Sequence, residues 1–215
     1  MVLGLVGVII GVHLVRLLLP PAMDFALQNY LALQPSAVVS GEEDLIEGLV
    51  SLVGHLFLHA DLTHLTMNAV WLLVVGSPIV RRFGPGRFLT LFFASGIAAA
   101  LAFALFHLRD GLGAAGASGA IAGLMGAALR IIVPGRWPGV RNRPVLPLSD
   151  RPIIAATIAW VAFNAIFAFT TLGLSATGIA WEAHIGGYFF GLLAFPLFDT
   201  TTSRRVLNGD FRNPR

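Results

Sequence analysis

Three stretches of this sequence hold side chains that could move a proton or attack a carbonyl carbon. The first is Gly116-Ala117-Ser118-Gly119. A serine hydroxyl becomes a nucleophile when a base stands beside it. Glycines around it let a backbone or a substrate approach closely. A serine opening a helix also has free N–H groups and the positive end of the helix dipole beside it, which suits a developing oxyanion. In isolation so short a string reads more readily as a helix cap followed by small-residue packing, because Gly123 repeats Gly119 four residues on.

The second stretch is Ala183-His184-Ile185-Gly186-Gly187, with Gly191 beyond it. Gly187 and Gly191 make a small-xxx-small face that can pack tightly on a neighbouring helix. His184 lies three residues before Gly187 and projects from nearly the same face. If the neighbour is the helix that Ser118 opens, His184 meets Ser118. The imidazole can then take the hydroxyl proton, and a Ser–His pair suffices for nucleophilic catalysis. No buried aspartate stands out as a third member, and Glu182 should point elsewhere.

The third stretch runs His55-Leu-Phe-Leu-His59-Ala-Asp-Leu-Thr-His64-Leu-Thr-Met-Asn68. His64 and Asn68 are four apart and share a helix face. Such polar groups either serve function or hydrogen-bond between helices, and the sequence leaves both readings open. Three close histidines also raise a metal. However, no HExxH motif accompanies them, and the chain has no cysteine to supply a thiolate, so no metal or other cofactor is expected. His13 and His107 have no comparable setting and read as interfacial or packed residues.

The elements that must position these groups are apolar helices. Of 215 residues, 56% are hydrophobic and 12% charged, against roughly 25% charged in a soluble domain. With too little polar surface to coat a water-soluble globule, the lipid bilayer must be part of the solvent. Six continuous hydrophobic runs fall near 2–19, 63–80, 87–107, 116–133, 152–172 and 183–198, each approaching the length of a membrane-spanning helix. Continuous runs favour helices over alternating barrel strands. Pro20-Pro21 ends the first run, Gly84-Pro85-Gly86 turns between the second and third, and Pro134 closes the fourth. The first run carries His13 and Arg16 and lacks a basic leader, so an uncleaved helix is expected rather than a signal peptide. Residues 1–199 are expected to form one membrane domain and 200–215 a short polar cytoplasmic tail, with no soluble domain on either side.

All fourteen basic residues are arginine. Twelve of them flank the second-to-third loop, the fourth-to-fifth loop and the tail; Arg16 and Arg109 alone fall on the other side. This is the spacing of topology rather than of a nucleic-acid surface, and no nucleic-acid partner is expected despite a pI near 10.5. The long first loop is acidic, with Asp24, Glu42, Glu43, Asp44, Glu47 and Asp61 and no arginine. Both termini are therefore expected in the cytoplasm. The second, fourth and sixth helices then run from outside to inside. His64, Ser118 and His184 each begin one of them, at similar depth in the outer half of the bilayer.

Taken together, the three stretches resemble the rhomboid family of intramembrane serine proteases. His55-x3-His59-x4-His64-x3-Asn68 followed by Trp71 is similar to that family's second membrane helix. Gly116-Ala117-Ser118-Gly119 with Leu124-Met125-Gly126 is similar to its nucleophile segment, and Ala183-His184-Ile185-Gly186-Gly187 to its sixth helix. The resemblance spans about 45–195. It implies an all-α integral membrane fold, a six-transmembrane-helix rhomboid-like bundle. It further implies Ser118 as nucleophile and His184 as general base. His64, Asn68 and the Ser118 N–H would form the oxyanion hole, Gly116 and Gly119 would shape the site, and His55 and His59 would be structural. The chain departs from the family at Gly48–Gly54, where a first-loop Trp-Arg pair is common, and at Val80, where a glutamate often closes the second helix.

The expected function is hydrolysis of a peptide bond in or near the membrane helix of a single-pass substrate. The alternatives are a non-catalytic rhomboid-like protein that escorts membrane clients, and a small transporter lined by His64, Ser118 and His184. Retention of both Ser118 and His184 argues against the first, and the lack of an internal repeat against the second. Trp160, Phe163 and Phe167, spaced by three and four, are expected to form one bulky face, which reads first as lipid-facing or core aromatics and alternatively as a lateral gate beside the second helix. A lysine-free, compact chain suggests a bacterial inner membrane. Physiological substrate, cleavage-site preference and oligomeric state are not legible.

Overall fold

The computed structural model describes residues 1–36, 45–109, 111–131, 145–171 and 180–199. The tail 200–215, the loop arginines 136, 141 and 143, and Glu42, Glu43 and Asp44 lie outside the described residues. Among those described, regular structure is helical apart from one isolated antiparallel bridge, Leu33 to Ala114. The helices are α1 (Val2–Leu18), α2 (Pro21–Leu31), α3 (Leu45–Gly54), α4 (Leu62–Phe83), α5 (Pro85–His107), α6 (Ser118–Leu129), α7 (Arg151–Thr171) and α8 (Trp181–Phe198). A single 3₁₀ turn, His55–Phe57, links α3 towards α4. The six hydrophobic runs correspond to α1, α4, α5, α6, α7 and α8. Helices α2 and α3 both lie in the acidic first loop.

Three stretches, α4, α5 and Arg151–Phe169 of α7, are long and apolar enough to cross a membrane by length and composition. Helix α1, the stretch Ile46–Phe57 and α6 are apolar but shorter. The brevity of α6 has a consequence for the site. Its 12 residues rise only about 18 Å, against about 30 Å of hydrocarbon.

The centre of the bundle is made of backbone contacts rather than large side chains. Helices α6 and α8 meet through glycines: a methyl group on Gly187 would overlap the carbonyl of Gly119, and one on Gly191 would overlap that of Gly123. Gly126 lies in the same way against the carbonyl of Tyr188. On its other side α8 presses Gly186 against Ala102 and Ala98 of α5. Such close approach gains dispersion and shape fit in a medium that offers no hydrophobic driving force between helices. Leu72, Ile79, Phe88, Leu91, Phe92, Leu124 and Phe195 complete the core and are fully buried.

Ion pairs lock the two ends. Arg82 of α4 and Asp199 just beyond α8 pair at 2.7 Å, with both side chains almost wholly buried. The guanidinium groups of Arg82 and Arg130 both lie over the Phe195 ring, 5.7 and 5.6 Å from its centroid. At the other end, Arg16 of α1 donates to Asp24 of α2 at 2.8 Å and to the His59 carbonyl at 2.9 Å. The Arg16 bond holds the Asp24 carboxyl below the usual carboxylate range.

Helix α7 docks differently. A stripe of Ile153, Thr157, Trp160 and Asn164, spaced by four, three and four, carries its contacts. Ile153 is buried beside Tyr188 and Leu192 of α8. Thr157 hydrogen-bonds the Tyr188 hydroxyl at 3.0 Å, and Trp160 stacks on the Tyr188 ring at 4.1 Å and 10°. The expected single aromatic face is therefore divided. Trp160 packs on α8, whereas Phe163 and Phe167 are 65% and 46% exposed and stack on each other at 5.9 Å. Phe163 lies one residue, about 100° of rotation, away from Asn164 on the docking stripe, and Phe167 lies beyond Asn164, past the start of α8 at Trp181.

Candidate active site

Ser118 is the first residue of α6, with Ala117 as its cap. The N–H groups of a helix's first turn have no intrahelical acceptor, so those beginning at Ser118 are directed at the space before it. His184 lies in the first turn of α8. The glycine interface sets the register of these two helices, and at that register the Ser118 Oγ is 2.9 Å from the His184 Nε2. Both residues are part-buried.

His64 enters from the first turn of α4. Asp61 caps that helix by accepting the His64 backbone N–H at 2.8 Å. That bond keeps the Asp61 carboxyl below its ordinary range. The His64 ring rests beside Gly116, where a Cβ atom would fall 2.8 Å from Nε2 and 3.9 Å from the Ser118 Oγ. The space beside Gly116 is thus common to His64 and Ser118. Gly116 also has φ +123, a region in which a side chain is strained. Only glycine satisfies both the backbone and the ring.

Asn68, one turn below, is buried and donates to the His64 carbonyl at 2.9 Å. An amide NH₂ carries two hydrogens, so one donor remains. His55 and His59 are buried as well. The His55 ring contacts the Ser51 carbonyl at 2.8 Å, and its backbone carbonyl accepts the Gly116 N–H at 2.8 Å. The 3₁₀ turn therefore holds the loop that leads into Ser118. The His59 ring stands edge-on to His64 at 5.1 Å. Gly119 faces Ala99 and Gly187, so it shapes the site by permitting helix approach rather than by lining it. Glu182 turns from His184 and contacts His107 at 3.2 Å, which ties α8 to the end of α5.

One polar contact has no counterpart in the motif analysis. Asn164 of α7 places its Oδ1 2.9 Å from the His184 Nδ1 and donates from Nδ2 to the Trp181 carbonyl at 3.2 Å. Its signal in the sequence is the one amide in a run whose other polar side chains are threonine hydroxyls and the Trp160 indole. A polar group in a membrane helix warrants a functional reading by default.

In chemical terms, a hydroxyl, an imidazole and a set of N–H donors converge on one small space. That arrangement can deprotonate a nucleophile and stabilise an oxyanion. Among the described residues no cluster of three or more His, Cys, Asp or Glu could hold a metal.

A family model for the rhomboid domain matches residues 47–199. The chain is similar to rhomboid protease GluP of Bacillus subtilis, 32% identical over 143 residues, which cover 66% of this chain and 25% of that protein. It is also similar to rhomboid protease GlpG of Serratia proteamaculans, 31% identical over 142 residues, 66% of this chain and 45% of the relative. Rhomboid protein 1 of Saccharomyces cerevisiae mitochondria matches at 29% over 182 residues, 81% of this chain and 46% of that protein. The matches thus cover less than half of each of these relatives.

Proposed function

The chain belongs to the rhomboid family of membrane proteins, and on that premise we propose that it is an intramembrane serine endopeptidase acting through Ser118 and His184. The observation that carries the proposal is the 2.9 Å contact between the Ser118 Oγ and the His184 Nε2 at the mouth of α6. As the Ser118 oxygen attacks a peptide carbonyl, its proton passes to His184 Nε2. The carbonyl oxygen takes up the negative charge and receives hydrogen bonds from the Ser118 N–H, the His64 ring and the Asn68 amide. Collapse of the adduct breaks the C–N bond, and His184 returns the proton to the departing amine. A water molecule, deprotonated by His184, then cleaves the acyl-serine ester. No cofactor is required by this sequence of steps.

The six hydrophobic runs, with both termini cytoplasmic, put Ser118, His184 and His64 at the outer ends of three helices running inward. With its other end at the inner surface, a helix as short as α6 starts below the outer one, which recesses the nucleophile in the outer half of the bilayer. The substrates are single-pass membrane proteins. A helical peptide bond is engaged in its own hydrogen bonds, so the substrate must unwind locally, and helix-weakening Gly or Pro near the scissile bond favours cleavage. Co-expression with a panel of single-pass proteins tests the proposal. New fragments should form with the wild type and be absent with Ser118→Ala; fragments in both, or in neither across a broad panel, would overturn it.

A further inference from the structure

The two hydrogen bonds of Asn164 fix more than its own position. The Trp181 carbonyl can only accept, so the end of the Asn164 amide that meets it, at 3.2 Å, must be the NH₂ group. The amide oxygen is then the end facing His184, 2.9 Å from Nδ1. An amide oxygen can only accept, so Nδ1 must carry the proton of the neutral ring. Nε2 is left with its lone pair, and that lone pair faces the Ser118 hydroxyl at 2.9 Å. The direction of every hydrogen bond from Trp181 to Ser118 thus follows from one backbone carbonyl.

Asn164 is only 6% exposed. A buried amide is costly unless both its ends are paired, and here both are. Its height on α7 is set by Ile153, Thr157 and Trp160, which lie on the same stripe and pack on α8.

We propose that Asn164 is the positioning residue of the site: it holds His184 in the Nδ1–H tautomer and in the plane that points Nε2 at Ser118. This deepens, and rests on, the reading of Ser118 and His184 as nucleophile and base. Asn164 takes no proton. It accepts the Nδ1–H bond in the resting ring and keeps it when Nε2 is protonated, so the imidazolium forms without reorientation. A simple interhelical tether would use the same contacts, but it would be indifferent to whether residue 164 can accept a hydrogen bond.

The test uses the full chain, a single-pass substrate, and two substitutions of similar size. Wild-type cleavage that is lost in Ser118→Ala secures the underlying reading; its absence, or activity in Ser118→Ala, overturns that reading. Asn164→Leu keeps the branched shape and heavy-atom count and loses the acceptor. Its kcat should fall about 10²-fold, the scale of a misplaced catalytic group, with KM little changed. Asn164→Asp keeps the acceptor and should retain kcat within about tenfold of wild type, each enzyme at its own pH optimum. Wild-type kcat in Asn164→Leu, or equal loss in both variants, overturns the assignment of Asn164 alone. If Asn164→Asp does not fold, ¹⁵N chemical shifts of His184 decide. A single Nδ1–H tautomer in the wild type that is lost in Asn164→Leu supports the role, and an unchanged tautomer overturns it.

Discussion

The α carbon of Gly187 lies so close to the carbonyl of Gly119 that no side chain fits between them. That contact lies one residue beyond Ser118 on α6 and three beyond His184 on α8, so it sets their separation. Gly187→Ala should spread α6 from α8 and lengthen the contact between the Ser118 Oγ and the His184 Nε2. Overpacking of this kind costs about 1–3 kcal/mol. Detergent melting should show that loss, and cleavage should fall by more than the folded fraction does. Activity that tracks the folded fraction alone would mean the interface supports the fold without setting the dyad.

On the proposed mechanism, the oxyanion donors should behave differently from the nucleophile and base. Ser118→Ala and His184→Ala should each abolish cleavage, and the double variant should be no worse, because the pair acts as one unit. Asn68→Ala removes one donor, and such losses typically cost about 10²–10³ in rate. His64→Ala should cost more, because that ring also rests beside Gly116. Fluorophosphonate labelling should vanish only in Ser118→Ala and His184→Ala. Labelling that survives in His184→Ala would remove the histidine from the base role.

Gly116→Ala should be as damaging as loss of the ring itself. A methyl group there meets the His64 Nε2 at 2.8 Å and demands φ near +123 of a residue with a side chain. Steady-state cleavage is the measurement, with His64→Ala/Gly116→Ala as the control. If the clash with the ring is the cause, the double variant should be no slower than His64→Ala. A double variant slower still would trace the defect to backbone strain instead.

These groups were legible because their spacing reports a face. Gly187 and Gly191 announced a close helix partner, and His184 projects beside them. Asn164 was not legible, because nothing in the run from 152 to 172 says which residue of a neighbouring helix it meets. That depends on where α8 begins, which spacing within α7 cannot encode. Phe163 is divided from Trp160 by its angle off the docking stripe and Phe167 by the start of α8, although all three share one half of the helix by periodicity. Helices α2 and α3 were hidden for another reason. They lie in an acidic first loop and are held by single contacts such as Arg16 with Asp24, which follow from the fold rather than from a repeating pattern.

The Arg82–Asp199 pair should matter for stability rather than chemistry. Removing one partner of a buried ion pair typically costs about 3–5 kcal/mol. Asp199→Ala should therefore lower the melting temperature sharply. Asp199→Leu with Arg82→Met should recover much of the loss, since an apolar pair of similar size avoids burying a charge. Cleavage per folded molecule should change little, because Ser118 and His184 stand at the opposite ends of α6 and α8 from Arg130 and Asp199. A large fall in activity per folded molecule would instead reveal coupling between the two ends of the bundle.

The three aromatic residues of α7 should separate into two classes. Trp160 stacks on Tyr188, and a stack of this kind contributes about 0.5–1.5 kcal/mol beyond burial. Trp160→Ala should loosen α7 and with it the Asn164 contact to His184. Cleavage of a membrane substrate and of a soluble, unfolded one should both slow. It should also be less than additive with Asn164→Leu, since both act through the same hydrogen bond. Phe163 and Phe167 contact each other and are largely exposed, so their removal leaves the docking stripe intact. If a membrane substrate reaches the site past this end of α7, Phe163→Ala and Phe167→Ala should speed its cleavage while leaving the soluble substrate unchanged. Parallel changes for both substrates would show that the two rings act on stability, and the entry route would have to lie elsewhere.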